Sequence, residues 1–600
     1  MQNNRNFYIT IALSILILTL WQVFYMNPKI SAQREIQRVE LERVEKEKLA
    51  QGKAPAANGT APAAGTPASD ATAANSALTR DAALAQTQRI VIDTPSLSGS
   101  INLTGARFDD IVLKNYREEV AKTSPNIKLL SPAALDQGYF AELGYSGSDA
   151  TGKVPGQDTV WKLEGNAVLT PATPVTLSFT NDKGLTFKRT IAVDTEYMFK
   201  IADSVANGGA SPVSLSPYGR VTRYDKPAGT AVYVLHEGLI GVSGEAGLTE
   251  YKYSAIEKDK EFKPAKAADG WLGITDKYWA AALIPSAKQP FQARYSFFED
   301  GRPRYQSDFL SDPVVVAPGA SETVESLFFA GAKEVDKINS YEADLKIRKF
   351  DLMIDWGWFH FITKPMFRLI DTLYKLFGNF GLAILATTVI VKLIFFPLAN
   401  KSYVSMAHMK TAQPKMLEIK EKYADDKTKQ QQAMMELYKT EKINPIAGCW
   451  PVLLQIPVFF SLYKVIYVTI EMRHAPFFGW IQDLGAPDPT SVFNLFGLLP
   501  FAVPAFLAIG VWPLLMGITM FLQMQMNPTP PDPTQAMIFK WMPIMFTFMM
   551  ATFPAGLIIY WAWNNTLSIL QQGYIMKRNG AKIELWDNLV GLFKKKPETA

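Results

Sequence analysis

Downstream of residue 379 the chain carries five apolar runs, at 380–398, 446–468, about 509–526, 538–553 and 556–574. Each is close to the ~20 residues with which an α-helix crosses the hydrocarbon core of a bilayer. Backbone in lipid must satisfy its own hydrogen bonds, so a run of this kind spans as a helix. Phe7–Phe24 adds a sixth run ahead of them. The apolar fraction of 48% hides this pattern, because it averages the runs with a polar, mixed stretch over 30–345.

The first run has two readings. A cleaved signal peptide has an apolar core of ~7–15 residues and a small-x-small cleavage site. Ile30-Ser31-Ala32 fits that site poorly, so residues 1–28 are expected to be an uncleaved transmembrane anchor. Residues 29–88 follow as a charged helix, Gln33 to Leu49, and a linker of Ala, Pro, Gly, Thr and Ser. Such a linker has too little apolar surface to offset its ordering entropy.

From 89 to 338 the period changes to two. Val175, Leu177 and Phe179 alternate with polar residues, Asn181-Asp182-Lys183-Gly184 turns the chain, and Leu185, Phe187, Ile191 and Val193 resume the alternation. Similar runs at 101–113, 230–242, 279–284 and 293–298 predict a β-sandwich domain. Nothing in it forms a catalytic constellation, and its lone histidine, His236, is expected to be an ordinary satisfied group.

Residues 339–378 are expected to form an amphipathic helix lying in the membrane interface. Phe359, Ile362, Met366, Leu369, Ile370, Leu373, Leu376 and Phe377 share one face, and Lys364, Arg368, Asp371 and Lys375 the other. Packing of that face on the β-domain is the alternative. The rest divides into spans at 379–399, 446–468, 509–527 and a pair at 538–574. Between them lie a helical hairpin at 400–445, a re-entrant or outer segment at 469–508 broken by Pro500 and Pro504, and a loop at 528–537. The hairpin is rich in lysine, and the tail at 575–600 ends with Lys594-Lys595-Lys596. Lys and Arg bias puts both in the cytoplasm. With six spans the N-terminus is then cytoplasmic too, and the β-domain lies outside, in the periplasm.

Several function classes are excluded. One cysteine, Cys449, permits no internal disulfide and no multi-cysteine metal site, and the four histidines show no ligand spacing. No GxxxxGK[ST] loop occurs, so nucleotide hydrolysis has no visible means. A net charge of +5 over 600 residues gives no footprint for DNA. No metal, cofactor or catalytic residue is expected.

The informative charge is Lys392, inside the run Leu382–Phe396. A cation near mid-span costs about 2.5–3.5 kcal/mol on insertion scales. The other spans offer no Asp or Glu between their ends. Lys392 therefore either snorkels ~9 Å to the cytoplasmic end at Leu398 or faces water held within the protein. Thr388, one turn earlier, and polar residues on other spans, among them Gln455, Ser461, Thr519, Gln523, Asn564, Asn565, Ser568, Gln571 and Gln572, favour the second reading. In the hairpin, Met406, Met409, Gln413, Met416, Ile419 and Tyr423 share a face, and Asp425-Asp426 interrupts it. That methionine stripe suits either contact with varied apolar partners or internal packing. The basic flank suits anionic lipid or ribosomal RNA.

Asn444-Pro445-Ile446-Ala447-Gly448-Cys449-Trp450-Pro451-Val452-Leu453-Leu454-Gln455-Ile456-Pro457-Val458-Phe459 resembles the signature of the YidC/Oxa/Albino insertase family. Phe553-Pro554-Ala555-Gly556-Leu557 and Gln571-Gln572 resemble it as well. The resemblance covers nearly the whole chain, in the Gram-negative form with an anchor and a large periplasmic domain. It implies five helices around a hydrophilic groove and a cytoplasmic hairpin. It implies as partners nascent membrane proteins, the Sec translocon, and the ribosome through the hairpin and basic tail. The family's groove charge is usually arginine, and the matching residue here is Lys392, which keeps the charge and loses the planar fork. Thr388 and Trp561 fall where the family meets incoming segments. The candidate groove is thus Lys392, Thr388, Gln455, Trp561 and Asn565, with Met406, Met409 and Met416 as hairpin contacts. The expected function is insertion and folding of membrane proteins at the bacterial inner membrane. A secondary transporter or channel for an anionic solute is the rival, and it would show repeated halves that this sequence lacks.

Overall fold

The computed structural model describes residues 78–227, 235–299, 301–441, 450–499, 501, 503–504, 508–527 and 533–580. The expected anchor, most of the linker, residues 442–449, which include the first six of the signature block, and the lysine triplet of the tail lie outside the described residues.

The period-two pattern becomes two largely antiparallel sheets, of eleven and nine strands among the described residues. Strands Val175–Thr180 and Leu185–Val193 pair in the expected hairpin, with Thr180 opposite Thr186. Asn181 shapes its turn, as its side-chain oxygen accepts the amides of Lys183 and Leu185, and Gly184 takes a left-handed φ of 81°. The run at 279–284 is a strand of the same bounds, and 293–298 lengthens to Phe291–Phe298. Two expectations change. Residues 101–113 divide between Leu97–Asn102 and Arg107–Arg117, because Gly105 turns the chain at φ 77°. Of 230–242, only Gly238–Ser243 is a described strand, and 230–234 lie outside the described residues. The sheets share one core: Phe108 of the first meets Phe199 and Phe328 of the second with ring centroids 5.2 and 5.0 Å apart. Burial of each such side chain stabilises by roughly 1.5–3 kcal/mol.

The interfacial stretch expected over 339–378 is two helices, not one. Helix α1, Val335–Asp344, closes the β-domain, and α2, His360–Phe377, carries the amphipathic period. Lys346, Lys349 and Gly357 between them have φ of 54°, 49° and 71°, which no helix accommodates. That break positions Asp355, which accepts the backbone amide of His236 at 2.9 Å and Lys464 Nζ at 2.8 Å. Glu471 accepts the first amide of α1, Val335 N, at 2.8 Å, and Arg473 donates to Arg117 O and Glu118 O at 2.7 and 3.0 Å. The β-domain is thereby bolted to the helices through one end of helix α7, Trp450–Val468.

Before α7 come α3, Phe380–Ile394, α4, Phe396–Thr411, α5, Gln413–Lys422, and α6, Lys427–Thr440. After it come α8, Val511–Met526, α9, Pro533–Met550, and α10, Ala555–Arg578. Among the described residues no single helix is long and apolar enough to cross a membrane, whereas α3 and α4, bent by 70°, pass that test together. The helix expected through 399 therefore ends earlier, at Ile394, and α4 starts a new direction with Pro397 in its first turn. Asp426 caps α6 as the Asp425-Asp426 interruption predicts, accepting Lys429 N at 3.0 Å. The described residues of 473–510 are mostly irregular, with one short 3-10 turn at Leu495–Gly497, and no described helix there could serve as a span.

Candidate functional site

Helix α10 is the hub of the helical half. Its Trp563 Nε1 donates to Leu385 O of α3 at 3.3 Å, and its Asn565 to Thr519 Oγ1 of α8 at 3.3 Å. Its Tyr560 hydroxyl accepts from Gln455 of α7. A long helix with amides at 564, 565, 571 and 572 is poor lipid-facing material, and its position among the other helices gives partners to Asn565 and to Gln572 Nε2, while Gln571 Nε2 and Gln572 Oε1 are buried without one.

These helices enclose a cavity of about 610 Å³. Lys392, Thr388, Gln455, Trp561 and Asn565, the five groove residues expected from the sequence, all line it. Asn564, Ser568, Gln571, Gln523 and Asn527 add polar groups, while Val458, Leu462, Met520 and Met542 make the wall amphipathic. Lys392 is the one charged residue among its described lining. Its Nζ donates to Ser568 Oγ at 2.6 Å, and the Ser568 hydroxyl donates in turn to Asn564 O at 2.8 Å. The side chain thus turns toward α10. It lies in the last turn of α3, where the exposed carbonyls of the helix end favour a cation. Among the described residues no carboxylate pairs with it.

Thr388 spends its hydroxyl on Ile384 O at 2.8 Å, so it offers the cavity a methyl and little hydrogen bonding. Trp561 sits between Phe459 and Phe546, at 4.7 and 5.8 Å, and Tyr463 meets Phe553 at 5.9 Å. This aromatic cluster lies toward the β-domain end of α7. In α3 and α8 the lining residues, Thr388 to Phe395 and Met520 to Asn527, belong to the half nearer the hairpin. The cavity therefore extends along the hairpin half of α3 and α8, with the Phe459, Trp561 and Phe546 rings on its β-domain side.

The methionine stripe falls differently. Met406 is buried with Tyr403 against Ile575 of α10, Met416 is buried too, and Met409 is half-buried. Internal packing claims the first two, and among the described residues of α5 and α6 the large apolar side chains left open are Leu417 and Met435. Sequence reasoning also left Ser568 out of the groove set, along with Tyr560 and Asn527. The spacing Asn564-Asn565-Ser568-Gln571-Gln572, one polar stripe at helical period, was the available signal for Ser568. A tyrosine in an apolar run reads as core, so Tyr560 carried none. Among the described residues no group of His, Cys, Asp or Glu could hold a metal ion.

Residues 89–369 match the family model described as the YidC periplasmic domain, and residues 372–582 match the one described as the 60Kd inner membrane protein. A relative from Mesorhizobium japonicum named membrane protein insertase YidC is 71% identical over 602 residues, 100% of either chain. A relative of the same name from Brucella suis is 65% identical over 609 residues, again 100% of both. A solved structure of an active YidC insertase with its first transmembrane domain resolved aligns at 17% identity and a TM-score of 0.34, over 80% of this chain and 91% of that one.

Proposed function

The chain belongs to the YidC family of membrane-protein insertases, and from that premise we propose that it moves the hydrophilic segments of entering membrane proteins across the inner membrane by way of the cavity around Lys392, alone or with the Sec translocon. The observation that carries this reading is a cation turned toward α10, held by one hydroxyl and, among the described residues, paired with no carboxylate. A polar segment crossing bare hydrocarbon leaves each unpaired group several kcal/mol short of its hydration. A polar cavity reaching part-way through the bilayer shortens the dry path, and an unpaired ammonium attracts an acidic leading segment. Release of the substrate's own apolar helix into lipid drives the step, at ~25 cal/mol per Å² buried. No nucleotide takes part.

The orientation that suits this scheme has six spans, counting the anchor within 1–28. The hairpin α5–α6, the basic tail and both termini are cytoplasmic, and the β-domain is periplasmic. Helices α3, α7, α8, α9 and α10 are the five core spans, and α2 lies along the outer interface. Support comes from the lysine bias of 400–445 and from the side of the cavity that faces the hairpin. The lysines of the hairpin and tail suit ribosomal RNA and the anionic leaflet, and Leu417 and Met435 suit nascent apolar chain. The rival reading, a carrier of anionic solutes, draws on the same lysine, and membership of an insertase family decides against it.

The test is reconstitution of the purified protein into liposomes with a single-span substrate bearing an acidic leading segment. Unaided insertion is expected, weakened by Lys392→Met and more by Lys392→Glu. Equal insertion into protein-free vesicles would refute the proposal.

A further inference from the structure

Helices α8 and α9 have a second face. α8 turns Gln523 toward the lysine cavity, and on its other side Ile518 and Phe521 wall a separate cleft of about 540 Å³ with Ile544 and Phe548 of α9. The floor of this cleft is a close helix crossing: a Cβ on Gly517 would fall 2.0 Å from Thr547 Oγ1. Thr547 spends its hydroxyl on Pro543 O at 2.8 Å, so the floor offers an occupant no free donor. At one end stands a cation, Lys540, which is exposed and, among the described residues, meets no carboxylate. The wall is thus apolar along its length and positive at one tip.

We propose that this cleft seats an acyl chain of one anionic phospholipid, whose phosphate is held by Lys540. Three measures favour that occupant. The volume lies within the ~300–1,000 Å³ of specific small-molecule sites. The rise from Lys540 to Phe548, eight residues, is ~12 Å, close to the ~15 Å of a single leaflet. Trp541 follows Lys540, and a Trp beside a Lys marks the headgroup level of a bilayer. A substrate helix, ~10 Å across, would need roughly 900 Å³ over that height and is too wide. The orientation proposed above assigns the lipid to the cytoplasmic leaflet and has no other part in the argument. A chain in this cleft supports the α8–α9 wall from behind, on the face opposite the lysine cavity.

Native mass spectrometry of the full-length protein in detergent tests this, with dioleoyl phosphatidylglycerol and dioleoyl phosphatidylcholine titrated separately. One phosphatidylglycerol should be retained about fivefold more tightly than phosphatidylcholine, the factor for ~1 kcal/mol from one lysine near an anionic surface. Lys540→Gln should abolish the difference. Ile544→Trp, at a half-exposed position where a larger ring fits without disturbing the core, should reduce retention of both lipids. The proposal is overturned if Lys540→Gln keeps the preference, or if Ile544→Trp leaves both lipids bound. It is equally overturned if Ile544→Trp shifts only a monomer–dimer balance, which would make the cleft a seat for a second copy. None of these readings depends on substrate insertion, so failure here and failure of the insertase reading are separable.

Discussion

The two halves of this protein differ in how they answer most of their buried charge. In the β-domain four well-buried guanidiniums are answered by carboxylates: Arg189 meets Asp203 through two bonds of 2.7 Å, Arg294 meets Asp308 at 3.0 Å, and Arg220 and Arg107 converge on Glu142 at 2.8 and 3.1 Å, while the buried Lys333 is held by Thr275 Oγ1 and Asp276 O at 2.9 and 2.6 Å. Burial alone would raise the Glu142 carboxyl, and the two arginines more than offset it, leaving it below the usual range. In the helical half Lys392 has a serine and a helix end, and among the described residues nothing of opposite sign. Charges neutralised within the fold fix architecture. A charge left open inside a cavity has attraction to spare for something that arrives, which is what an insertase requires.

Breaking a pair in the first half should cost the most. Asp203→Asn leaves Arg189 buried and half-answered, and the expected loss is about 3–5 kcal/mol, read as a lower denaturant midpoint for the β-sheet circular dichroism signal. A loss under 1 kcal/mol would mean the pair is not structural.

The junction between the halves should respond next. Burial raises the Glu471 carboxyl to about 7, although Val335 N lowers it by hydrogen bonding. An acid raised in the folded state contributes stability that is complete below its unfolded value near 4.5 and is lost as pH rises through 7. Thermal stability of the full chain should therefore fall across that window by ~3 kcal/mol, at 1.36 kcal/mol per unit. Glu471→Gln should flatten the slope, and an unchanged slope would place the titrating group elsewhere.

The helical half should show the reverse signature. Lys392→Met should leave stability unchanged or slightly raised, because it removes an unpaired cation. It should slow insertion of substrates with acidic leading segments by about tenfold, the factor for the ~1.5 kcal/mol of a hydrogen bond to a charged group. Substrates with neutral segments should respond less. A large loss of stability would make Lys392 structural, like the arginines of the β-domain. Ser568→Ala should give the smallest effect, a few-fold in insertion and about 1 kcal/mol or less in stability, because the ammonium can exchange the hydroxyl for water.

What could be read in advance follows the same division. Alternation over 175–193 and the Asn181–Gly184 turn specified a hairpin in its register, because one face of each strand is buried and a one-residue slip would expose it. The residues that meet around one cavity were legible because a lone lysine and a stripe of amides in apolar runs admit few placements. The bend at Phe395–Pro397 was missed, since an apolar run continues through it and a proline near a helix start is ordinary. The division of 339–378 was missed because Lys346 and Lys349 take left-handed conformations that their identity does not announce. The fate of Met406 and Met416 depended on the approach of α10, a tertiary fact absent from the local pattern.

The central claim is that Lys392 faces water reached from the cytoplasmic side. With Cys449→Ser as background, single cysteines at 392 and 523 should react with a membrane-impermeant maleimide in inverted vesicles and stay unmodified in right-side-out spheroplasts. Cysteines that react in neither preparation, while a control in the hairpin reacts in inverted vesicles, would show a dry helix contact and contradict the account.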